Sequence, residues 1–382
     1  MRDPRLDKLA QLLVTYSVAV RRDDVVRISG STAALPLVRA LYKEVLRAGG
    51  HPLLRISDDA CADLFYAHAG AKQLAYLSPL QMTETETIDC SIGIWADDNT
   101  KSMSCVDPKK QAAVSQARRP MMDLFLKRAA KTSKNKLRWT GTQFPCQAAA
   151  QDAEMSLSGY EDFVFTAGLL HRANPASEWR KISTRQQRAC DALNKGRNIH
   201  FKTPQGTDLR LGIKGRRWIN CDGHENFPDG EVFTAPIEDS TEGVVCYSFP
   251  AVHGGHEVHD IRLQFKAGCV VDASADRGED FLIKMLDQDK GARILGELAM
   301  GTNYAIGQYT KNTLFDEKIG GTFHAALGAA YPESGGRNES GLHWDMVCDL
   351  RRGGIVEVDG KLISKNGRFL RANWPQPPRR GR

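Results

Sequence analysis

A β–α–β pattern runs through Val25-Val-Arg-Ile-Ser29, Pro36-Leu-Val-Arg-Ala-Leu-Tyr-Lys-Glu-Val-Leu-Arg-Ala48, Gly49-Gly50 and Pro52-Leu-Leu-Arg-Ile56. The first and last segments are short apolar runs that predict strands, and the middle segment has the apolar spacing of an amphipathic helix. The two glycines predict the end of that helix. Strands that alternate with helices at this spacing are typical of an open, largely parallel α/β sheet. The stretch therefore predicts an N-terminal α/β domain.

A further strand at residues 88–95 continues this pattern, whereas the second half of the chain differs in character. After about residue 196, short β-rich runs alternate with Gly, Pro, Asn and Asp turns, which are hairpin signals. These runs are residues 199–203, 208–213, 244–249, 260–265 and 270–273. We predict an α/β domain over residues 1–195 and a β-rich domain over residues 196–372, which is α+β overall. Residues 373–382, rich in proline and arginine, are predicted to be a disordered tail.

Composition limits the classes of protein to which the chain can belong. The 382 residues carry a net charge of +6, and the basic residues form no stripe with interleaved aromatics, which argues against a nucleic-acid partner. No apolar run reaches the roughly 20 residues that cross a bilayer, and the first residues lack a signal-peptide core. The nine cysteines are scattered without a CxxC pair, so we expect free thiols and a cytoplasmic location.

Acidic side chains interrupt apolar runs of the second domain. Glu231 follows a Pro-Asp-Gly turn and precedes Val-Phe, Glu297 lies between Ile-Leu-Gly and Leu-Ala-Met, and Glu317 ends the run Asn-Thr-Leu-Phe-Asp-Glu. Burying an ionised carboxylate without a partner costs several kcal/mol, so a metal ion or another cation is its natural partner. The alternatives are an edge strand that exposes Glu231 and a short helix with Glu297 on its polar face.

Histidines accompany these carboxylates. His324 lies in a small-residue segment, and His343 and Asp345 are two residues apart, which on a strand places both side chains on one face. A lone histidine in an apolar segment is more often a core residue than a ligand. Together, however, these residues form a mixed carboxylate–imidazole set that suits Zn, Mn or Co in a two-metal hydrolase. The set consists of Glu231, Glu297, Glu317, His324, His343 and Asp345.

A second histidine cluster competes with this set. It is His253-Gly-Gly-His256-Glu-Val-His259, three histidines in seven residues. The glycine pair and the strand-like flanks favour an exposed hairpin tip over a metal site. Other chemistries lack their motifs, since the sequence has no GxSxG, no HExxH and no glycine-rich phosphate loop.

The segments that carry the mixed set resemble the aminopeptidase T/aminopeptidase S family, the thermophilic metalloproteases. The likeness rests on five runs: Pro228-Asp-Gly-Glu-Val-Phe-Thr-Ala-Pro236, Leu295-Gly-Glu297, Asn312-Thr-Leu-Phe-Asp-Glu317, His324-Ala-Ala-Leu-Gly328 with Tyr331-Pro332, and His343-Trp-Asp345. Weaker likeness in the first domain extends the resemblance over nearly the whole chain. The resemblance implies two divalent metal ions, a homodimer, and the removal of N-terminal residues from peptides with a free N-terminus.

The resemblance also implies a role for each residue. The six residues of the mixed set would be metal ligands, Glu297 would also be the general base, and Tyr331 would be the catalytic phenol that donates a hydrogen bond to the oxyanion. The stretch between Glu317 and His324, which includes residues 319–323, is longer than the matching stretch in some family members. Glu317 is therefore the residue of the set whose spacing departs most from the family pattern. Two other functions stay open: another two-metal hydrolase, such as an amidase or phosphoesterase, and a peptide-binding homologue without metals.

Overall fold

The chain folds into two compact units. The computed structural model describes residues 3–130 and 133–378. The first unit ends at Ala176 and includes Gly223–Pro228, and the second comprises Ser177–Asp222 and the chain from Asp229 onward. The division therefore falls ahead of the predicted boundary at residue 195. The reason is the helix Pro175–Leu193, whose buried face belongs to the core of the second unit.

The described part of the chain contains eleven α-helices and 20 strands. The helices are α1 (Pro4–Leu12), α2 (Leu35–Arg47), α3 (Asp59–His68), α4 (Ala71–Leu74), α5 (Pro79–Thr87), α6 (Pro108–Ala129), α7 (Gln147–Asp152), α8 (Leu157–Ala167), α9 (Pro175–Leu193), α10 (Glu279–Leu286) and α11 (Thr313–Asp316). The strands are β1 (Val25–Ser31), β2 (His51–Ser57), β3 (Cys90–Trp95), β4 (Arg138–Gln143), β5 (Asn198–Lys202), β6 (Asp208–Gly212), β7 (Ile219–Cys221), β8 (Asn226–Phe227), β9 (Glu231–Thr234), β10 (Glu242–Cys246), β11 (Ala251–His253), β12 (His256–Val258), β13 (Arg262–Lys266), β14 (Cys269–Ser274), β15 (Leu295–Gly301), β16 (Thr322–Gly328), β17 (His343–Asp349), β18 (Ile355–Val358), β19 (Lys361–Lys365) and β20 (Arg368–Phe369). Across these described ranges, none of the helices has both the length and the apolar character that crossing a membrane requires.

The first unit contains an open parallel sheet. Its strand order is β2-β1-β3-β4-β8, and every neighbouring pair is parallel. Strand β1 buries Val26 and Ile28, and helix α2 buries Leu37, Leu41 and Val45. Strands β1, β2 and β3 and helix α2 coincide with the predicted segments to within two residues, so the predicted α/β domain is confirmed.

The second unit contains three antiparallel sheets. An eight-stranded sheet has the order β14-β13-β10-β6-β5-β18-β19-β20, a five-stranded sheet has the order β17-β16-β15-β9-β7, and β11 pairs with β12. The predicted β-rich runs correspond to β5, β6, β10, β13 and β14. The β11–β12 hairpin turns at Gly254 and Gly255, where a hairpin tip was predicted. The prediction of a β-rich second domain is confirmed.

Side-chain alternation gives the five-stranded sheet an apolar face. Its apolar side chains, which join the large hydrophobic core of the second unit, are Val232, Leu298, Met300, Phe323, Ala325, Leu327, Trp344, Met346 and Cys348. The ring of Phe323 stacks on that of Phe201 from the eight-stranded sheet, with centroids 4.2 Å apart. Both rings are fully buried, so this face anchors the sheet and leaves the other face for polar groups.

The predicted disorder of residues 373–382 does not hold for the part that the structure describes. Trp374 is only 2% exposed and belongs to the core of the second unit. Its ring meets that of Phe369 edge-on at 5.3 Å, and the Arg371 guanidinium lies 5.1 Å from the ring centroid. Burial of this ring, together with the hydrogen bonds that Gln376 Nε2 donates to the carbonyls of Phe369 and Arg371, holds the segment against the core. Residues 379–382 of the predicted tail lie outside the described residues.

Candidate metal centre

One face of the five-stranded sheet collects donor side chains from four strands. In the antiparallel register, Ala326 of β16 lies opposite both Glu297 of β15 and Asp345 of β17. His324, two residues earlier on β16, lies opposite Ala299. Residues directly opposite one another share a face, and so do residues two apart on a strand. The alanines between the donors are small, so this face has room for groups that converge on one centre.

The neighbouring strands extend the same face. Gly301 of β15 lies opposite Glu231 of β9, and Gly328 of β16 lies opposite His343 of β17. Glu297 is therefore on a buried strand and not on the polar face of a short helix, which corrects that alternative. Glu231 is likewise buried, not exposed at an edge. The predicted placement of His343 and Asp345 on one face of a strand is confirmed.

His324 lies at the middle of the cluster. Its side chain has no solvent exposure, and its Nε2 lies 3.2 Å from Glu297 Oε1, 3.6 Å from Glu231 Oε2 and 3.9 Å from Asp345 Oδ1. Three carboxylates thus approach a single imidazole nitrogen. His324 is therefore a member of the polar centre and not an isolated core histidine.

His343 forms the second focus of the cluster. Its Nε2 lies 3.5 Å from Glu297 Oε2 and 3.6 Å from Asp345 Oδ1. Glu297 therefore turns one carboxylate oxygen toward each histidine. A carboxylate that faces two nitrogen donors in this way has the arrangement of a ligand shared by two neighbouring ions.

Both histidines present the same ring nitrogen to the centre. His324 Nδ1 is 3.1 Å from the carbonyl oxygen of Glu317, and His343 Nδ1 is 2.9 Å from that of Ala329. Because a carbonyl only accepts, each Nδ1 carries the proton and donates it. Each Nε2 of a neutral ring then keeps its lone pair for a metal ion, the usual arrangement of ligating histidines.

All six residues of the mixed set are brought together. Three overlapping groups of donors, with ligand atoms within 4.8 Å of one another, are Glu231–Glu297–His324, Glu297–His343–Asp345 and Glu317–His324–Asp345. A fourth group adds Cys221 and Asp229 to Glu231. Glu317 enters from the end of α11, a one-turn helix capped by Asn312. The histidines of the β11–β12 hairpin belong to none of the donor groups found among the described residues.

Burial and charge give the cluster unusual electrostatics. Burial raises the pKa of Glu297. Burial acts in the same direction on Asp345, but the adjacent His343 outweighs it and lowers the pKa of Asp345 to about 2. Burial acts against the charged form of His343, yet Asp345 and Glu297 raise its pKa to about 9. The carboxylates therefore create a strongly negative environment that favours any cation.

Two oxygen atoms of the cluster have unmet bonding capacity. Glu231 Oε2 and Asp345 Oδ1 are buried and make no hydrogen bond within residues 3–130 and 133–378. Buried polar atoms are nearly always satisfied in native proteins, so each such atom needs an explanation. A bound cation at the centre would satisfy both.

Tyr331 borders the centre from the loop after β16. Its ring centroid lies 5.2 Å from that of His343 and 5.5 Å from that of Phe233, both with the rings steeply inclined. The residue is 46% exposed, and Pro332 follows it at the start of a short 3₁₀ turn. Tyr331 is thus held beside the centre while remaining open to a molecule from solvent.

Sequence reasoning missed Lys318. Its side chain is fully buried, and its ammonium contacts Glu317 and lies 3.4 Å from Glu231 Oε1. The run Asp-Glu-Lys after Phe315 looks like a solvated turn, which concealed it. The available signal was position, because Lys318 lies between Phe315 and Ile319, both of which are fully buried.

Gly296 permits the strand irregularity that precedes Glu297. The pairing register of β15 shifts between Leu295 and Glu297, and a Cβ on Gly296 would lie 2.2 Å from the carbonyl oxygen of Ala329. Overpacking of this kind costs roughly 1–3 kcal/mol. We expect Gly296→Ala to lower the free energy of unfolding by that amount in a denaturant titration. Gly307→Ala is the control, because its Cβ would meet nothing within 4 Å. Equal stability of the two variants would contradict the prediction.

Comparisons with known proteins identify the family of this chain. A family model described as thermophilic metalloprotease (M29) matches residues 2–369. Aminopeptidase PepS of Streptococcus thermophilus is 27% identical over 96% of this chain and 98% of its own length. Aminopeptidase T of Thermus aquaticus is 34% identical over 52% of this chain and 54% of its own length. The solved structure of wild-type AmpT from Thermus thermophilus matches with a TM-score of 0.83 and 26% identity, over 96% of this chain and 99% of that one. The chain belongs to the thermophilic metalloprotease family, that of aminopeptidases T and S.

Proposed function

We propose that the centre binds two divalent cations, Zn, Co or Mn, and removes N-terminal residues from peptides. Family membership makes the chain a metal-dependent aminopeptidase; the number of ions, their identity and the role of each residue are the proposal. The observation that carries it is Glu297, whose two oxygens face the Nε2 atoms of His324 and His343. One residue thus belongs to two donor groups, so two neighbouring ions could share it.

The donor set fits such ions. It offers carboxylate oxygens and imidazole nitrogens, which suit Zn, Co and Mn. Among the described residues, the buried atoms Glu231 Oε2 and Asp345 Oδ1 make no hydrogen bond and are free to bind an ion. One ion would be held by Glu231, Glu297 and His324, and the other by Glu297, His343 and Asp345. Glu317, which shares its donor group with His324 and Asp345, would complete the site.

The chain's own residues supply the proton chemistry. Bound divalent cations polarise the scissile carbonyl and make a water molecule acidic enough to lose a proton near neutral pH. Glu297 is proposed to accept that proton and to deliver it to the leaving amine, since it lies at the middle of the centre, between His324 and His343. Tyr331, exposed at the border of the site, donates a hydrogen bond to the oxyanion.

Selection for a free N-terminus is proposed from the groups that the centre offers to an amine. The carboxylates of Glu231, Glu297, Glu317 and Asp345 gather at the centre, and Lys318 contacts Glu317 and lies 3.4 Å from Glu231. An N-terminal amine can be bound by a carboxylate or by an ion, whereas an acetylated N-terminus has lost its charge and most of its basicity. We therefore propose that peptides with free N-termini are the substrates.

The proposal extends to assembly and location. The resemblance of the chain to the family supports a homodimer. The nine cysteines, all free, support a reducing compartment such as the cytoplasm. The molar mass in solution, measured by light scattering, tests the first point, because a monomer at micromolar concentration contradicts it.

Leucine p-nitroanilide hydrolysis tests the proposed activity. We expect dialysis against chelator to lower the rate by at least about 10³-fold, because Lewis-acid stabilisation contributes several kcal/mol and each 1.4 kcal/mol is tenfold. Readdition of Zn, Co or Mn should restore the rate. N-acetyl-leucine p-nitroanilide, which lacks the free amine, serves as the control substrate and should not be cleaved.

Two outcomes count against the proposal. Equal cleavage of the acetylated substrate would contradict selection for the free N-terminus. Protein that holds two ions per chain but cleaves neither anilide would direct the search to another two-metal hydrolase, for which a phosphate ester and a simple amide are the next substrates.

A further inference from the structure

Lys318 is a buried cation among the carboxylates of the centre. Its Nζ contacts Glu317 Oε1 and lies 3.4 Å from Glu231 Oε1, and its side chain has no solvent exposure. We propose that Lys318 is a positioning residue that holds one oxygen of Glu231 and one oxygen of Glu317, so that each carboxylate presents its other oxygen to a metal ion. This inference rests on the proposed two-metal function.

The backbone of Lys318 is fixed on both sides. Its N–H donates to the carbonyl oxygen of Phe315 at 3.0 Å, and its own carbonyl accepts from the N–H of Asn303 at 3.0 Å. Glu317, the preceding residue, caps the C-terminus of α11. The backbone from which the Lys318 side chain extends is therefore fixed, and its buried side chain lacks the rotational freedom of a surface lysine.

The two oxygens of Glu231 have different surroundings. Oε1 faces Lys318, whereas Oε2 is buried, lies 3.6 Å from His324 Nε2 and makes no hydrogen bond within the described part of the chain. Lys318 thus occupies one side of this carboxylate and leaves Oε2 for an ion. Partners outside the ligand set commonly orient ligating carboxylates in this way.

Burial determines what kind of role Lys318 can have. A side chain with no exposure cannot touch a substrate that enters from solvent. An ammonium group has three N–H donors and no acceptor, so it can hold two carboxylates at once. A buried ammonium group also requires anionic partners, and Glu231 and Glu317 supply them. Lys318 therefore acts through the ligands.

Cobalt binding by the full-length, chelator-stripped protein tests the inference. Co²⁺ is titrated into the wild type, Lys318→Met and Lys318→Gln, with visible absorption as the readout of coordination and metal content as the readout of stoichiometry. We expect Lys318→Met to weaken Co²⁺ binding by about 10–100-fold and to change the absorption bands, as loss of an orienting partner does. Lys318→Gln keeps an N–H donor and should lose less.

Lys43→Met is the matched control. Lys43 is a partly buried lysine whose Nζ lies 2.8 Å from Asp7 Oδ1 in the first unit, which contains none of the six candidate ligands. It should bind Co²⁺ as the wild type does. A cooperative thermal unfolding transition shows that each metal-free variant is folded. If Lys318→Met does not fold, weakened Co²⁺ binding by Lys318→Gln tests the inference in its place.

The outcomes separate this inference from the proposed function. Unchanged or tighter Co²⁺ binding by the folded Lys318 variant overturns the positioning role, because a residue that only balanced charge would compete with the ions. A wild type that binds no Co²⁺ refutes the two-metal function itself. Two ions in the wild type, with weakened binding only in the Lys318 variants, support both.

Discussion

Glu297→Gln is expected to lower kcat/KM for leucine p-nitroanilide by about 10³–10⁴-fold. Removing a positioned general base costs about 10²–10⁴-fold, and Glu297 also turns one oxygen toward each of His324 and His343. Glutamine keeps the shape of the side chain but replaces one oxygen with an NH₂ group, which donates and does not accept. One side of the residue therefore loses its ability to bind an ion, and metal content per chain should fall below two.

The matched control is Glu357→Gln. Glu357 Oε2 lies 3.6 Å from His200 Nδ1 in the eight-stranded sheet, a carboxylate–imidazole pair outside the centre. This variant should retain activity and metal content. Full metal content in Glu297→Gln, together with lost activity, would assign Glu297 to the proton-transfer role alone. Unchanged activity would remove it from the site.

His324→Asn is expected to lower activity by at least about 10³-fold by emptying the centre of metal. The Asn side-chain NH₂ can replace Nδ1–H as a donor to the Glu317 carbonyl, but nothing replaces Nε2, on which three carboxylates converge. With the ions lost, the several kcal/mol that they contribute to the transition state are lost as well. Metal content after gel filtration and the rate on leucine p-nitroanilide check the prediction together.

His200→Asn provides the comparison for this variant. His200 also lies between two carboxylates, those of Asp208 and Glu357, but in the eight-stranded sheet. It should keep its metal ions and its activity. If His324→Asn bound two ions and turned over substrate as the wild type does, His324 would be a structural core residue and the ligand assignment would be wrong.

Much of the fold followed from local sequence patterns. The β1–α2–β2 unit was predicted to within two residues because its apolar spacing and Gly49-Gly50 agree with one another. The β-rich runs of the second unit, several of which alternate buried and more exposed residues, were also predicted as strands. Strand β15 was harder, since all seven of its residues are buried, and the short apolar runs on either side of Glu297 have no period to separate strand from helix.

The candidate site was predicted from residue types, while its arrangement was not. Six ligand candidates could be named because carboxylates and histidines interrupt apolar runs. Their convergence depends on strand order, since β9, β15, β16 and β17 become neighbours through long-range pairing that no local pattern encodes. Lys318 was missed because its local run resembles a solvated turn and because one of its partners is distant in sequence. Its partner Glu231 lies 87 residues earlier in the chain.

The domain boundary shows a further limit of sequence patterns. The apolar spacing of an amphipathic helix shows that the helix has a face to bury, but it does not show which hydrophobic core that face joins. Helix α9 was therefore assigned to the first domain, although Ala189, Cys190 and Leu193 lie in the core of the second. Trp374 was misjudged likewise, because its proline-rich surroundings outweighed one large aromatic ring.

The main-chain acceptors of His324 and His343 have a consequence for how such a centre can evolve. The partners are the carbonyls of Glu317 and Ala329, and every amino acid at those positions supplies the same carbonyl. No substitution at position 317 or 329 can remove these acceptors without moving the chain itself. The orientation of the two imidazole rings therefore depends on the path of the backbone and not on the side chains at these two positions. A fold of this kind tolerates wide sequence change, as an overall identity of 26% at a TM-score of 0.83 illustrates, and we expect such change to leave the orientation of the two imidazoles intact wherever the backbone path is kept.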